Sequence, residues 1–567
     1  MAVRRLLTVG SLAVLLAALV VFSAGASAPA AQAAGPCTSG TAYDPACDVD
    51  RNGIMDVRDV LLTAGHWGHT GTWSADYWSL YGNPGIQPGV HVLGTTDPAS
   101  LTLVVDAAPT LRLEVAGPVP NLVAGEPANQ VTSGAWGAVI GGGGAPGEAN
   151  RVTDFLGTVA GGAGNRAGDD TGTADSAVHA TVGGGFHNVA GAEASTVGGG
   201  ESNTAGGDGS TVGGGIANQA TAGTSTVGGG ANNQAQAGAA TVGGGESNTV
   251  DYHAGTVAGG SDNQVSGDYA VVGGGQGNRV TADYATVAGG GLALPSDPTS
   301  GNWVTDEYST VGGGGANQAG DGDGDTTNAQ YATVSGGGYN SAARGSAVGG
   351  GYANTTDGSY ATIGGGLSNQ IDEQTYYIDS YATIGGGLAN SVGGLGLSAT
   401  IAGGQYNRAT APLATVPGGY FASAGDYGQM AFASGRFGET GDAQASLFVL
   451  RGTTTNATPT NLYLDGAAAQ ELITIGEDRA MAVDILVVAR SSDDLASAYR
   501  IEGLFKDNNG SGYIVGATTS LIAGELGLPT FHVIPRVVGN ALSVEVTGPT
   551  NKTVRWVATV RTAEVAW

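Results

Sequence analysis

The sequence predicts an all-β protein. A parallel β-roll, or β-solenoid, of about 15-residue coils is followed by an antiparallel β-sandwich-like domain. Three observations carry this. The phrase S/A-T-V-G-G-G-x-x-N-x-A recurs from about Val123 to Val416. Clean copies have aliphatic anchors at Val182, Val197, Val212, Val227, Val242, Val257, Val272 and Val287, 15 residues apart. Looser copies at Val123, Ile140, Val159, Val311, Val334, Val348, Ile363, Ile384, Ile401 and Val416 bring the total to 18. Second, an Asn stands six residues after most anchors, including Asn188, Asn203, Asn218, Asn233, Asn248, Asn263 and Asn278. Third, beyond Val416 the Asn disappears, aromatic residues return and strand-like alternation replaces the repeat.

Composition narrows the class. Glycine supplies 104 of 567 residues, but there is no G-X-Y period, which excludes collagen. The strict register of Val and Asn argues against glycine-rich disorder. Charged residues make up 12 % of the chain, its net charge is −28, and its only lysines are Lys506 and Lys552. Such a chain lacks the electrostatic footprint for nucleic acid or anionic lipid.

The N-terminus comes first. Two arginines in Met1–Arg5 precede an apolar run from Leu6 to Phe22 and A-x-A sites at Ala26–Ala28 and Ala31–Ala33. Residues 1–34 are expected to be a signal peptide, so the protein is secreted or placed at the cell surface. An uncleaved membrane anchor is the competing reading, but the run is short for a spanning helix. No other stretch is suited to a transmembrane helix. Cys37 and Cys47 are the only cysteines; in an exported chain they are expected to form one disulfide.

Residues 48–59 place Asp48, Asp50, Asn52, Asp56 and Asp59 at positions 1, 3, 5, 9 and 12 of a loop, with Gly53 at position 6. Together with the backbone carbonyl of Ile54, that spacing wraps one calcium ion. A short helix is expected to begin near Val57–Leu62. The segment 35–70 resembles a dockerin repeat, which implies calcium and a cohesin-type partner. Only one such loop is present, where dockerins pair two. His66 and His69 flank Trp67 and are read as surface residues, since zinc would need further ligands. Residues 71–89 form a linker.

Residues 90–122 are expected to form short strands at Val90–Leu93, Leu101–Val105 and Leu111–Val115. The phrase Leu93-Gly-Thr-Thr-Asp97, with Leu101-Thr-Leu103 and Leu111-Arg-Leu113, resembles the collar that leads into repeats of phage-tail-like fibres.

Within 123–425, fifteen residues suffice for two short extended pieces and two turns. T-V-G and N-x-A are the expected strands. The glycine run makes one corner, where φ is positive or backbones approach closely. The Asn, tolerant of the left-handed region, caps the second turn and stacks its amide on the next coil. At about 4.8 Å per coil the stack would be on the order of 80–90 Å long. Insertions fall in two places only. One lies between glycines and Asn (Ala145–Gly147, Ala293–Gly301); the other follows N-x-A (Ala167–Asp175, Asp321–Asn328, Asp372–Ile378). That is where turns belong. Inward Val, Ala and Gly bury little each, so lateral association is one expected source of stability.

The units of 182–292 resemble the head repeats of trimeric autotransporter adhesins, which implies a homotrimer. The stalk and membrane anchor of that family have no counterpart here. Several other chemistries are excluded or disfavoured. There is no G-x-x-x-x-G-K-S/T for phosphate. The 15-residue period differs from nine-residue calcium rolls. Asp321, Asp323 and Asp325 are read as a solvated loop rather than a calcium site. The column Thr181, Thr196, Thr211, Thr226, Thr241, Thr256 and Thr286 is read as a structural β ladder rather than an ice-binding array. The outward positions of the coils show no coherent charge, aromatic or metal array.

Residues 426–567 are expected to carry strands at Ser446–Arg451, Asn461–Leu464, Ala482–Ala489, Ala498–Phe505, Gly512–Ala517, Ala541–Thr547 and Thr553–Thr562. The stretch from Phe448 to Gly466 resembles the C-terminal domain of phage-tail-like and bacterial surface fibres, which implies a trimeric tip. Asp484, Glu502, Glu545 and His532 form no catalytic spacing and are read as solvent-facing charges. Two functions remain open. One is an exported adhesive or structural fibre; the other is a component of an extracellular polysaccharide-binding or -degrading assembly attached through the calcium loop.

Overall fold

A computed structural model describes residues 93–95, 97–297, 300–372, 380–466, 469–525 and 531–567. The expected signal peptide, Cys37 and Cys47, the candidate calcium-loop residues Asp48 to Asp59 with the helix expected near Val57–Leu62, and His66 and His69 lie outside the described residues. The described chain is all β, and its main body runs from Thr95 to Trp567.

A strand hairpin, Leu101–Val105 with Ala108–Glu114, pairs antiparallel with Asn121–Ala124. From there the chain winds as a parallel solenoid. Its first row is the Thr-Val rungs, eighteen from Asn121–Ala124 to Thr415–Val416, each paired in register with the next. All 18 anchors expected from the sequence sit on this row, and all are fully or almost fully buried. A second row of two-residue strands starts immediately after each Asn, as in Thr204–Ala205 on Gln219–Ala220. This row is an open ladder: Gln130–Val131 pairs with Arg151–Val152 at one end and Ser423–Ala424 with Arg408–Ala409 at the other.

A third row, absent from the two-sided expectation, consists of single-residue bridges just after the glycines. It runs Phe186, Glu201, Ile216, Ala231, Glu246, Ser261 and Gln276. The coil is therefore three-sided. In the coil beginning at Thr196, the N–H groups of Thr196, Gly198, Glu201, Thr204 and Gly206 donate to the next coil at 2.7–2.9 Å, while Ser202 and Gly209 donate back to the previous one. Short rungs suffice because nearly every backbone group finds a partner one coil away.

Each corner needs a left-handed residue. At the first it is the third glycine: Gly200 has φ +90°, and a Cβ there would lie 2.1 Å from the Gly215 carbonyl oxygen. At the second it is the residue before the Asn, such as Ser202 (φ +57°) or Ala217 (φ +54°), and not the Asn itself. The Asn is free of that duty because its amide is needed inside. At the third corner it is the residue three before each anchor, such as Ala194 or Thr224.

Four positions per coil point inward. In one coil they are Ser195, Val197, Asn203 and Ala205, all fully buried. The apolar core thus closes within one chain, and lateral association is not required to cover it. Each buried Val contributes about 1.5–3 kcal/mol. The expected insertion sites hold: Asn302 bonds Asn278 across 24 residues with the rungs unbroken.

The first row does not end at Val416. Thr415 pairs in parallel with Met430 of strand Met430–Ser434, which then pairs antiparallel with Ala443–Thr454. The sheet continues through Val554–Ala566, Arg479–Ser491, Ala496–Asn508 and Ser511–Gly524. A smaller sheet of Thr460–Asn461, Ala541–Thr547, Ile473–Thr474 and His532–Val538 lies against it. Between them is a second core that includes Phe448, Leu462, Ile485, Phe505, Val544 and Trp556. All seven expected C-terminal strands are present in longer or shorter form. His532–Val538 went unseen because Pro535 interrupts its strand-like run.

Candidate functional surfaces

The Asn column is the most regular polar feature. The Asn233 amide nitrogen donates to Asn218 Oδ1 (3.1 Å), Gly229 O (2.9 Å) and Gly245 O (2.8 Å). Its Oδ1 accepts from the backbone N–H and the side chain of Asn248 at 3.0 and 3.1 Å. Asn203, Asn218, Asn248, Asn263 and Asn278 repeat this pattern, and Asn188 reaches the Asn165 oxygen through its backbone N–H. Every one is buried, so the column is an internal brace that no ligand can touch.

The outward positions are less plain than the sequence suggested. Tyr269, Tyr284, Tyr308 and Tyr331 occupy the third corner in successive coils. Their rings stack at centroid distances of 5.3, 5.1 and 5.2 Å with interplanar angles of 4°, 1° and 12°. His253 meets Tyr269 edge-on at 5.5 Å. After one coil in which Gly345 holds the corner, Tyr360 and Tyr381 resume the stack at 5.6 Å. Parallel rings with centroids more than 5 Å apart are offset rather than face to face, so each shows part of a face as well as its hydroxyl edge. The six are 44–61 % exposed. Carboxylates flank them: Asp268 Oδ1 accepts the His253 N–H (2.9 Å), Asp283 Oδ1 accepts the Asp268 N–H (2.8 Å), and Glu307 accepts from Gln330 Nε2 (2.7 Å). Burial raises the Tyr308 phenol, and the neighbouring Tyr284, Glu307, Tyr331 and Asp283 add to it. The signal was in the sequence, three residues before the anchor, but the insertions hide it from a count of fifteen.

The inserted loops contain no cluster of three or more metal-ligating side chains among the described residues. Asp321, Asp323 and Asp325 turn their carboxylates onto the N–H groups of Asp323, Asp325 and Thr327 at 2.8–3.1 Å. Both Asp-rich loops are tied down by a buried aspartate. Asp154 accepts from Asp169 N and Ala177 N, and Asp306 from Asp321 N and Ala329 N.

On the C-terminal domain, Asp484 and Glu502 both pair with Arg500 (2.9 and 3.2 Å), and Glu545 pairs with Arg536 (3.0 Å). His532 is exposed. These are surface ion pairs. A buried polar cluster at the junction with the solenoid was not anticipated. Glu564 bonds Arg479 (2.6 Å) and Gln444 (3.1 Å), while Asp426 accepts from the Thr474 N–H (3.0 Å). Burial pushes the Asp426 carboxyl up to about 7, with further repulsion from Glu564 and Glu471.

The outer face of the large sheet is uncovered and carries apolar side chains among charged ones, with Arg561 and Glu502 beside Asp484 and Arg500 beside Leu486. Met430, Phe432, Val449, Leu486, Val488, Leu504, Val557 and Val565 are all exposed. The register places Thr559 between Val449 and Leu486, and Val557 beside Val488. The last strand, Ser511–Gly524, is exposed along nearly its whole length, with Tyr513, Ile514, Val515, Leu521 and Ile522 open to solvent.

No protein-family model and no curated protein matches this chain. Among solved structures, a tailspike protein gp49 from Acinetobacter baumannii bacteriophage Fri1, a capsular polysaccharide depolymerase, aligns over 76 % of this chain and 80 % of its own at 8 % identity and a TM-score of 0.19. The tailspike protein of Acinetobacter phage vB_ApiP_P1 aligns over 74 % and 82 % at 6 % identity and a TM-score of 0.17. With TM-scores this low, neither alignment carries weight for fold or activity.

Proposed function

We propose that this chain is an exported surface fibre with an adhesive or structural role, in which the solenoid sets distance and the C-terminal domain assembles a homotrimeric tip. The uncovered sheet face is the observation that carries this reading. Monomeric soluble proteins rarely expose contiguous apolar patches of more than a few hundred Å². Here eight exposed large apolar side chains share one face with the charges of Asp484, Arg500, Glu502 and Arg561, and a 14-residue, largely apolar edge strand lies beside it. An unpaired apolar edge of that length is a liability unless another chain covers it. The solenoid core needs no such cover, so assembly belongs to the tip. The signal-peptide pattern of residues 1–34 supports export, and the expected Cys37–Cys47 bridge fits an oxidising compartment.

A second reading rests on the calcium-loop spacing of Asp48, Asp50, Asn52, Asp56 and Asp59. There the chain joins an extracellular polysaccharide-binding or -degrading assembly through a calcium-dependent, cohesin-type contact. Light scattering and crosslinking of residues 35–567 test the first reading. A trimer is expected, and a monomer at micromolar concentration overturns it. A calcium-dependent pull-down on cohesins tests the second, and capture that is indifferent to chelator removes it.

A further inference from the structure

We propose that the shingled tyrosines form a docking ridge for an extended, uncharged polysaccharide, a ligand class that rests on the exported-fibre reading. The ridge is not needed to build the coil. The same corner is turned by Ala194, Gly209, Thr224, Ala239 and Ala254 in earlier coils, and by Gly345 within the ridge itself. A non-glycine residue in the left-handed region is strained, and ring stacking offsets that strain without a clear surplus. Stability alone therefore gives little reason to place four consecutive tyrosines there while leaving about half of each to solvent. The tyrosines are also confined to the coils from Tyr269 to Tyr381, whereas a purely structural ladder would serve every coil equally.

Geometry and charge select the partner. The ridge is linear and repeats every 5.1–5.3 Å over four rings. A partner must offer flat C–H faces and hydroxyls at about one unit per coil, as a chain of pyranose rings does. An extended peptide presents like side chains every second residue, at roughly 6.6 Å, and falls out of step. The groups facing the ridge from adjoining positions are Asp268, Asp283, Glu307, Gln330 and His253, with Arg344 beside Tyr360 at 5.9 Å. This field disfavours polyanions over the first four rings, while carboxylates and phenols are suited to bonding sugar hydroxyls.

The test uses the mature chain in affinity electrophoresis through hydroxyethyl cellulose or xylan, and in pull-downs on insoluble chitin. Polygalacturonate and polylysine serve as charged comparisons. Retardation by at least one neutral polysaccharide is expected. The double variant Tyr284→Ala/Tyr308→Ala should weaken it at least tenfold, and Tyr284→Phe/Tyr308→Phe less. Phe186→Ala, on a different corner, should leave it unchanged. Circular dichroism and melting temperature check that the variants stay folded. No retardation by any neutral polysaccharide, equal binding by the alanine double variant, or a preference for polygalacturonate or polylysine overturns the proposal. Light scattering on the same samples separates the two readings. A monomer that binds overturns the fibre alone, and a trimer that does not bind overturns the ridge alone.

Discussion

Replacing Asn233 by Ala probes whether the internal brace holds the coils together. The substitution removes five side-chain hydrogen bonds, but several partners keep another. Gly245 O still accepts from Ala231 N, Asn248 Nδ2 from its own position still reaches Gly244 O and Gly260 O, and Asn218 Oδ1 still accepts the backbone N–H at 233. One buried group, the Asn248 N–H, loses its partner, and so does the half-buried Gly229 carbonyl, which water can reach. At about 1–3 kcal/mol for a buried group left unsatisfied, the loss is about 1–3 kcal/mol. In a stacked array that loss is felt mainly by the adjoining coils. Hydrogen exchange at Asn248 is therefore expected to accelerate by about one to two orders of magnitude, while amides near Val416 change little. Guanidinium unfolding gives the overall figure. Glu246→Gln, an exposed neighbour, is the control and should sit within about 0.5 kcal/mol of the parent. A loss below about 1 kcal/mol for Asn233→Ala, or unchanged protection at Asn248, would refute the brace.

Two further outcomes follow from particular residues. The Asp426 carboxyl titrates near 7 when folded, against 3.8 for its ordinary value. Its neutral form is therefore favoured by folding: the stability it supplies is full below about pH 4 and is lost as pH rises through about 7. Melting of the C-terminal domain should be higher at pH 5 than at pH 8, with a ceiling of ~3 kcal/mol from linkage between those two pH values, and Asp426→Asn should flatten the dependence. Calcium added to the mature chain should change Trp67 fluorescence reversibly with chelator, and Asp50→Ala should abolish the change. A wild-type chain indifferent to calcium would remove the metal site.

The solenoid was legible because its core is written in a fixed register. Val197 and Asn203 recur wherever a buried position recurs, and burial allows few substitutes. The left-handed residue before each Asn was misplaced because Ser202, Ala217 and Asn232 share no side-chain chemistry; only their backbone is alike. The third row was invisible for the same reason, since Phe186, Glu201 and Ala231 meet through single bridges. The tyrosine ridge was hidden by the insertions after Val287 and Ala319, which break the spacing but not the register to the anchor. The junction cluster brings Asp426 near Glu564 across the whole C-terminal domain, a proximity that no local pattern announces.

A stack of like rungs has no inherent stopping point, since any open rung is a template for another. Here the first row changes to antiparallel pairing at both ends: Ala108–Glu114 lies antiparallel on the first rung, and Met430–Ser434, parallel to the last rung, pairs antiparallel with Ala443–Thr454 and turns the row into the tip. Those terminators contact only the outermost coils. The number of coils between them can therefore change in whole units by duplication or deletion, altering reach while leaving both ends chemically the same.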